Sequence, residues 1–381
     1  MAPTKLTAVY NSTTRASTET GTVFASLKSS IKNTKAKLRA LRKPGVSKVT
    51  KSTSKSKPDA DDERLKQTIK QLHNIECSAG SDTFSSLGSQ LQNENELIQG
   101  DHSHPSLTAH DFEVGGILGR GKFGRVYLTR HLASNYVCAL KIISKAQCNG
   151  QGEEKLIRRE LEIHQNLAHK NILKLLSWFY DEKSIYLVLE YAAGGSLYSR
   201  LKKQPNGHFD EPTTAQYIAQ MAEALRYMHR KNIAHRDIKP ENILLGLHSE
   251  IKLADFGYSV HSRSGFRSTV CGTLDYLTPE MAIMMTKTGK EEQYHAKAVD
   301  QWSLGVLTYE LLVGKPPFEM KSSEATQKKI ATFKGRGVKF PGHVSKSAKG
   351  LIMALLDLDA EKRTSVDDVL VHPWIIRHRE K

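Results

Sequence analysis

The sequence is poor in cysteine, with only Cys77, Cys138, Cys148 and Cys271, and none of them stands at a paired metal-ligand spacing. Neither a disulfide framework nor a zinc finger is encoded, and a reducing nuclear or cytoplasmic setting is expected. Long hydrophobic runs are missing too: no stretch reaches the roughly 18 consecutive apolar residues of a membrane-spanning helix, so no membrane partner is expected. The first residues lack the charged start, apolar stretch and cleavage pattern of a secretory signal. Acidic side chains are nearly missing from residues 1–60, where Glu19 and Asp59 face thirteen Lys and Arg for a net of +11. Aromatics are sparse there as well, which removes the stacking platforms that single-stranded nucleic acid uses.

What remains in 1–108 is rich in Ser, Thr and Lys without sustained periodicity, too little apolar surface to offset the entropy of ordering the chain. We read 1–108 as a disordered targeting or regulatory tail, basic and then acidic, since residues 61–110 carry a net of −5. The basic arm suits polyanions without choosing among them, so nucleic acid and the acidic surface of microtubules are both admitted as weak partners. Leu65, Ile69 and Leu72, behind Asp61, Asp62 and Glu63, have the spacing of a short amphipathic helix over 61–76, which either docks on a partner or frays. From about Asp111 the length suits one domain of two lobes.

Chemistry begins at Leu118-Gly119-Arg120-Gly121-Lys122-Phe123-Gly124-Arg125-Val126, a G-x-G-x-x-G-x-V run between segments that read as strands, 112–118 and 125–130. Glycines there let a turn lie close over phosphates with its N–H groups facing the anion. A dinucleotide fold would follow such a run with a helix, whereas here a second strand follows. Val137-Cys138-Ala139-Leu140-Lys141 then brings an ammonium onto a strand, either to pair with phosphates or to snorkel to the surface. A helix is predicted over 153–167, in which Glu160 is the carboxylate expected to pair with Lys141 and Glu162 is the fallback.

The block His235-Arg236-Asp237-Ile238-Lys239-Pro240-Glu241-Asn242, followed by Asp255-Phe256-Gly257, completes H-R-D-x-x-x-x-N and D-F-G in the order of a protein kinase. From about Phe112 to Ile375 the chain resembles the eukaryotic protein kinases. The resemblance implies an α+β, bilobal fold: an N-lobe and hinge over 109–192, with an antiparallel sheet and one main helix, and a mainly helical C-lobe over 193–377 with an activation segment over 255–280. It implies an enzyme that moves the γ-phosphate of ATP to serine or threonine with Mg²⁺ as cofactor. Asp237 is then the proton acceptor and Lys239 the neutraliser of charge on the transferred group, while Asn242 and Asp255 supply the oxygens that Mg²⁺ prefers. ATP would lie among the run from Leu118 to Gly124, Val126, Ala139, Lys141, the gatekeeper-like Leu189, the backbone of Glu190 and Ala192, and Glu241, Asn242 and Asp255. Because Lys141, Asp237 and Asp255 are all present, a non-catalytic scaffold is the minor alternative.

Within that superfamily, residues 255–280, 235–246 and 302–319 resemble the Aurora kinases. The likeness implies a mitotic role in chromosome segregation, spindle assembly or cytokinesis, at chromosomes, spindle, centrosome or midbody. It implies histone-like substrates with basic motifs and an activating scaffold protein on the N-lobe. Arg267-Ser268-Thr269-Val270 resembles the family's own substrate pattern, so Thr269 is the expected phosphorylation switch, Ser268 the alternative, and Arg236 the expected phosphate-binding residue. Glu241 stands where basophilic kinases bind the arginine two residues before the acceptor. Cys271 is either a redox-sensitive thiol or a small loop residue. Three departures from the Aurora pattern stand out: Tyr258 in place of Trp, His164 where Gln is common, and residues 284–295, which lengthen the link from Glu280 to Asp300 by about eight residues. That extension is read as altering substrate or partner docking. Ser196 leaves the Aurora branch open, and another basophilic kinase is the runner-up.

Overall fold

The computed structural model describes residues 107–121, 124–148, 151–261, 265–269, 271–285 and 293–379. The chain divides into two units, Met1–His104 and Pro105–Lys381. The tail reading, with its helix over 61–76, therefore lies outside the described residues except at 107–108, as do Lys122 and Phe123.

Five strands build the first lobe: β1 (Phe112–Gly121), β2 (Gly124–His131), β3 (Val137–Ser144), β4 (Leu175–Tyr180) and β5 (Ser184–Glu190), in the spatial order β1-β2-β3-β5-β4. All pairings are antiparallel. Successive side chains of a strand alternate between faces, and β3 uses both. Cys138 and Leu140 enter a core with Phe112, Phe179, Tyr186 and Val188. Ala139 and Lys141 take the other face, where Val126 stands opposite Lys141 and Leu189 opposite Ala139. Four of the predicted nucleotide-side residues thus share one surface because the register is fixed by the core behind them.

The predicted strand from Phe112 runs past Leu118 to Gly121, so the glycine-rich run is the end of one strand and the start of the next. A Cβ on Gly124 would stand 1.7 Å from the carbonyl oxygen of Ile142. That glycine is therefore required by close approach of β3, a reason internal to the sheet and different from the phosphate contact expected of it. Helix α1 (Gln151–Gln165) starts and ends two residues before the predicted bounds. Its buried face carries Ile157, Glu160, Leu161 and His164, the spacing of one helical stripe, whereas Glu162 is exposed.

The second lobe is mainly helical: α2 (Leu197–Lys202), α3 (Glu211–Arg230), α4 (Pro279–Met284), α5 (Ala296–Val313), α6 (Ser323–Ala331), α7 (Lys346–Leu355), α8 (Val366–Val371) and α9 (Pro373–Arg379). Short strands tie its loops together: β6 (Gly195–Ser196), β8 (Ile243–Leu245) and β9 (Ile251–Leu253) form one sheet, β7 (Ile233–Ala234) pairs with β10 (Val260–His261), and β11 (Phe266–Arg267) with β12 (Tyr294–His295). Helix α3 starts on Asp210, whose carboxylate accepts the Thr213 N–H at 2.9 Å, the bond that satisfies an orphan donor of the first turn. Helix α5 is apolar almost all round and correspondingly buried. It stops at Gly314, whose φ of 90° admits the left-handed cap that closes the last turn. The Arg363 guanidinium grips the Glu280 carboxylate with two bonds of 2.8 and 2.7 Å and lies over the Trp302 ring. No helix among the described residues is long and apolar enough to cross a membrane.

Candidate active site

The loop between β7 and β8 is held from below by Asp300, the wholly buried carboxylate near the start of α5. It accepts the backbone N–H groups of His235 at 3.0 Å and Arg236 at 2.8 Å, and the Nε2–H of His229 at 2.8 Å. Burial pushes the Asp300 carboxyl up, but the bond and charge of His229, the charge of His235 and the Arg236 N–H outweigh it and hold it below the usual carboxylate range. The loop needs this grip, because Arg236 sits at φ 67° and Asp255, across the site, at 65°. Such left-handed non-glycine residues cost about 1–3 kcal/mol each and persist only where their surroundings fix them.

Three side chains then aim Asp237. Its Oδ2 accepts the Lys239 Nζ and the Asn242 Nδ2, each at 2.8 Å, and its Oδ1 accepts the Thr273 hydroxyl at 3.1 Å. Lys239 also donates to Thr273 Oγ1 at 2.7 Å, so base-type and cationic groups are locked to one threonine. The Asn242 amide nitrogen is further committed to the Asp237 carbonyl at 2.9 Å, which turns its amide oxygen the other way.

Above this floor, Lys141 Nζ meets Glu160 Oε1 at 2.6 Å, so Glu160 is the partner and Glu162 is not. Burial depresses the Lys141 ammonium, but the charges of Glu160 and Asp255 more than restore it and hold its pKa above the usual lysine value. A Cβ on Gly257 would lie 3.4 Å from Asp255 Oδ1 and 3.5 Å from Glu160 Oε2, which shows how closely α1 approaches the turn after Asp255. Phe256, fully buried, packs on His164 at 4.5 Å and on His235 at 5.3 Å between ring centroids. His164 lies 2.7 Å through Nε2 from the Leu173 carbonyl. Its pKa is lowered to about 4, mainly by burial, with Lys141 and His235 adding to the effect and the Leu173 bond and Asp255 opposing it. At the end of β5, Leu189 is buried, and the Glu190 carboxylate is occupied by Lys252 at 2.6 Å and the Lys174 N–H at 3.2 Å.

The residues fit a nucleotide with Mg²⁺. A Cβ on Gly119 meets nothing within 4 Å, so the glycine-rich strand end borders open space. Below it stand a charged Lys141 and two oxygen donors, the outward amide of Asn242 and the exposed Asp255, a set suited to a hard cation.

In the activation segment, Thr269 is exposed, and Arg236 reaches its carbonyl at 3.4 Å and the Tyr258 carbonyl at 2.9 Å. Burial and the neighbouring charges of Arg236 and Arg159 lower the Arg267 pKa; of the three, Arg236 is bonded to the Thr269 backbone, and Arg267 stands two residues from Thr269 in the chain. Burial pushes the Cys271 thiol up against the pull of Arg236 and Tyr294, which disfavours the reactive thiolate. Around Glu310 the charge is of opposite sign. Burial, and then the charges of Glu241 and Asp275, bring Glu310 up to about 7 against the Tyr276 bond and Lys202. Asp275 is raised by burial, Glu319 and Glu241.

The protein kinase domain family matches residues 112–375. The chain is 46% identical to an Aurora kinase of Schizosaccharomyces pombe over 321 residues, 82% of this chain and 87% of that protein. The chain belongs to the Aurora kinase family. It is 47% identical to Aurora kinase C of Mus musculus over 275 residues, 72% of this chain and 95% of that protein. It is also 47% identical to Aurora kinase A-A of Xenopus laevis over 270 residues, 71% of this chain and 63% of that protein. Equal identity to an A-type and a C-type protein does not separate the branches.

Among the described residues predicted from sequence, this Aurora kinase brings Lys141 to Glu160, Asp237 to Lys239 and Asn242, and Arg236 to the backbone of Thr269, whose side chain is on the segment's surface. Sequence reasoning missed Thr273, Tyr294 and Glu310, and gave Asp300 no part in the site. Glu310 did leave a signal, as a lone carboxylate within the apolar run Leu304–Val313. Thr273 and Tyr294 left none, since their partners lie 36 and 58 residues away.

Proposed function

We propose that this Aurora kinase transfers the γ-phosphate of ATP to serine or threonine in basic motifs. The observation that carries the reading is the Asp237 carboxylate, fixed by Lys239, Asn242 and Thr273 at bonds of 2.8, 2.8 and 3.1 Å. Asp237 would orient the substrate hydroxyl and take its proton, with the Lys239 ammonium neutralising charge that develops on the transferred group. Lys141, pinned by Glu160, would hold nucleotide phosphates under Leu118–Val126. Ala139 and Leu189 would wall the base, and the backbone of Glu190 and Ala192 would meet its edge. Asn242 and Asp255 would hold Mg²⁺, which when bound neutralises phosphate charge. Because positioning and charge carry most of this chemistry, an over-fixed carboxylate is the feature to expect.

The carboxylates of Glu241, Asp275, Glu310 and Glu319 support a basic substrate. Glu310 is raised to about 7 mainly by burial, so a cation docked near it would favour its charged form. Arg236, bonded to the Thr269 carbonyl, and Arg267, two residues away in the chain, support Thr269 as the activating phosphosite, with Ser268 next to it as the alternative, since guanidinium groups bind phosphate bidentately. Family membership further proposes mitotic work at chromosomes, spindle, centrosome or midbody, with an activating scaffold on the N-lobe and weak polyanion contacts by the tail.

Incorporation of radiolabelled phosphate into histone or a basic peptide tests the reading. Asp237→Ala should lower it by about 10²–10⁴-fold, the usual share of a general base, and equal incorporation by variant and wild type would sink the enzyme reading. Thr269→Ala should lower it by about tenfold or more, as expected when charge-assisted bonds are lost. Full activity in that variant would remove the switch while leaving the kinase.

A further inference from the structure

The extension read from the sequence as a docking feature has a different destination. Residues 284–295 end in β12, and β12 pairs with β11 of the activation segment, His295 opposite Phe266 and Tyr294 opposite Arg267. Tyr294 is 2% exposed. Its hydroxyl accepts the Arg236 Nη1–H at 2.7 Å and donates to the Thr269 carbonyl at 2.7 Å. Arg236 closes the figure, with its own Nη1 at 3.4 Å from the same carbonyl and its Nε at 2.9 Å from the Tyr258 carbonyl. Burial, with the Arg236 charge opposing it, raises the Tyr294 pKa above the usual phenol value, so the hydroxyl keeps the proton it donates.

We propose that Tyr294 is a positioning residue whose hydroxyl ties the Thr269 backbone to the guanidinium of Arg236, holding the activation segment in its working arrangement before Thr269 carries a phosphate. This rests on the reading of Thr269 as the phosphosite and Arg236 as its partner. The location gives the tie its effect. Arg236 is the chain neighbour of Asp237, and Thr269 lies four residues before Thr273, whose hydroxyl is 3.1 Å from Asp237. Tyr294 therefore joins the two stretches of backbone that aim the carboxylate. β11 and β12 are two residues long each, so the ladder alone is a weak fastening, and a hydrogen bond to a charged group is among the stronger ones. Every group in the tie belongs to the unmodified chain. A phosphate on Thr269 would give the same arginine a second anchor, so the tyrosine and the phosphate act as alternative supports for one loop. Tyr294 is then a regulatory residue that raises the activity of the unphosphorylated enzyme.

The test compares kcat and KM on a basic peptide for four full-length proteins. These are wild type and Tyr294→Phe, each phosphorylated on Thr269, and the same pair carrying Thr269→Ala. The phenyl ring preserves packing, and equal melting temperatures for the members of each pair check this. Tyr294→Phe should lower kcat of the Thr269→Ala protein about tenfold, the value of one charge-assisted hydrogen bond, with KM for ATP nearly unchanged. In the phosphorylated protein the same change should cost less than about threefold, because the phosphate replaces the anchor. A Thr269→Ala protein indifferent to Tyr294→Phe overturns the proposal. So does an equal loss in a phosphorylated protein that is itself faster than Thr269→Ala, since that describes simple packing. The phosphosite reading fails separately, when wild type and Thr269→Ala are equally active.

Discussion

The catalytic loop and the activation segment lie against each other and are held by opposite means. Asp237 has three side-chain partners and sits on a backbone clamped by a buried carboxylate, Asp300. The activation segment is fastened by two-residue strands, leaves Thr269 exposed, and meets Arg236 at the Thr269 carbonyl. A group that must be aimed to a fraction of an ångström is best placed where its surroundings over-determine it. A segment that must respond to a modification is best drawn from the weakly held end of the stability range. The Tyr294 hydroxyl is the point where the two regimes meet.

The contrast can be broken most forcefully at its foundation. Asp300→Ala strands two buried N–H groups and His229, so it should destabilise the protein by about 3–5 kcal/mol, the cost of removing one partner of a buried charged network. Urea unfolding reads this, and a variant as stable as wild type would mean that the clamp is not what holds the loop.

The next effect sits where the activation segment begins, at Phe256 under His164. The folded pKa of His164 lies below its unfolded value of 6.5, at about 4. Its contribution to stability is therefore complete above pH 6.5 and is lost as pH falls from there toward 4. The expected decrease between pH 7 and pH 5 is about 2 kcal/mol. His164→Gln, which cannot titrate, should flatten that part of the profile in denaturant unfolding measured at several pH values. An unchanged slope would assign the acid sensitivity to other groups.

The smallest and most discriminating change is at Thr273. Thr273→Val keeps the shape and removes the hydroxyl that links Asp237 and Lys239, so kcat should fall about tenfold for one lost bond to a charged group. Thr273→Ser should restore it, with the melting temperature of both variants close to wild type. If Val lowers stability in step with activity, aiming and folding are not separable here, and the contrast between the two regions weakens.

Much of this site was legible in the sequence because its chemistry is written in short stretches. Arg236, Asp237, Lys239 and Asn242 fall within seven residues, and a loop that short carries its own geometry. The pairing of Lys141 with Glu160 was legible for another reason: a strand followed by an amphipathic helix brings one polar position of the buried stripe toward the sheet. Gly124 was read from its motif as a phosphate-side glycine, and the structure adds a demand the motif does not show, since a Cβ there would meet the Ile142 carbonyl of the neighbouring strand. The extension over 284–295 was visible as a change in spacing, but spacing records added chain and not where the chain returns, so the pairing of Tyr294 and His295 with β11 was not legible.

Residue types, their order and their local phase are written along the chain, and they were enough for the bilobal fold and the kinase chemistry of the family. Which hydroxyl steadies Asp237, and that Tyr294 closes on Arg236 from 58 residues away, came from the folded chain alone. Periodicity is a property of neighbouring residues, whereas a hydrogen bond between distant ones exists only after burial of Trp302, Phe256 and the rest of the core has fixed both backbones.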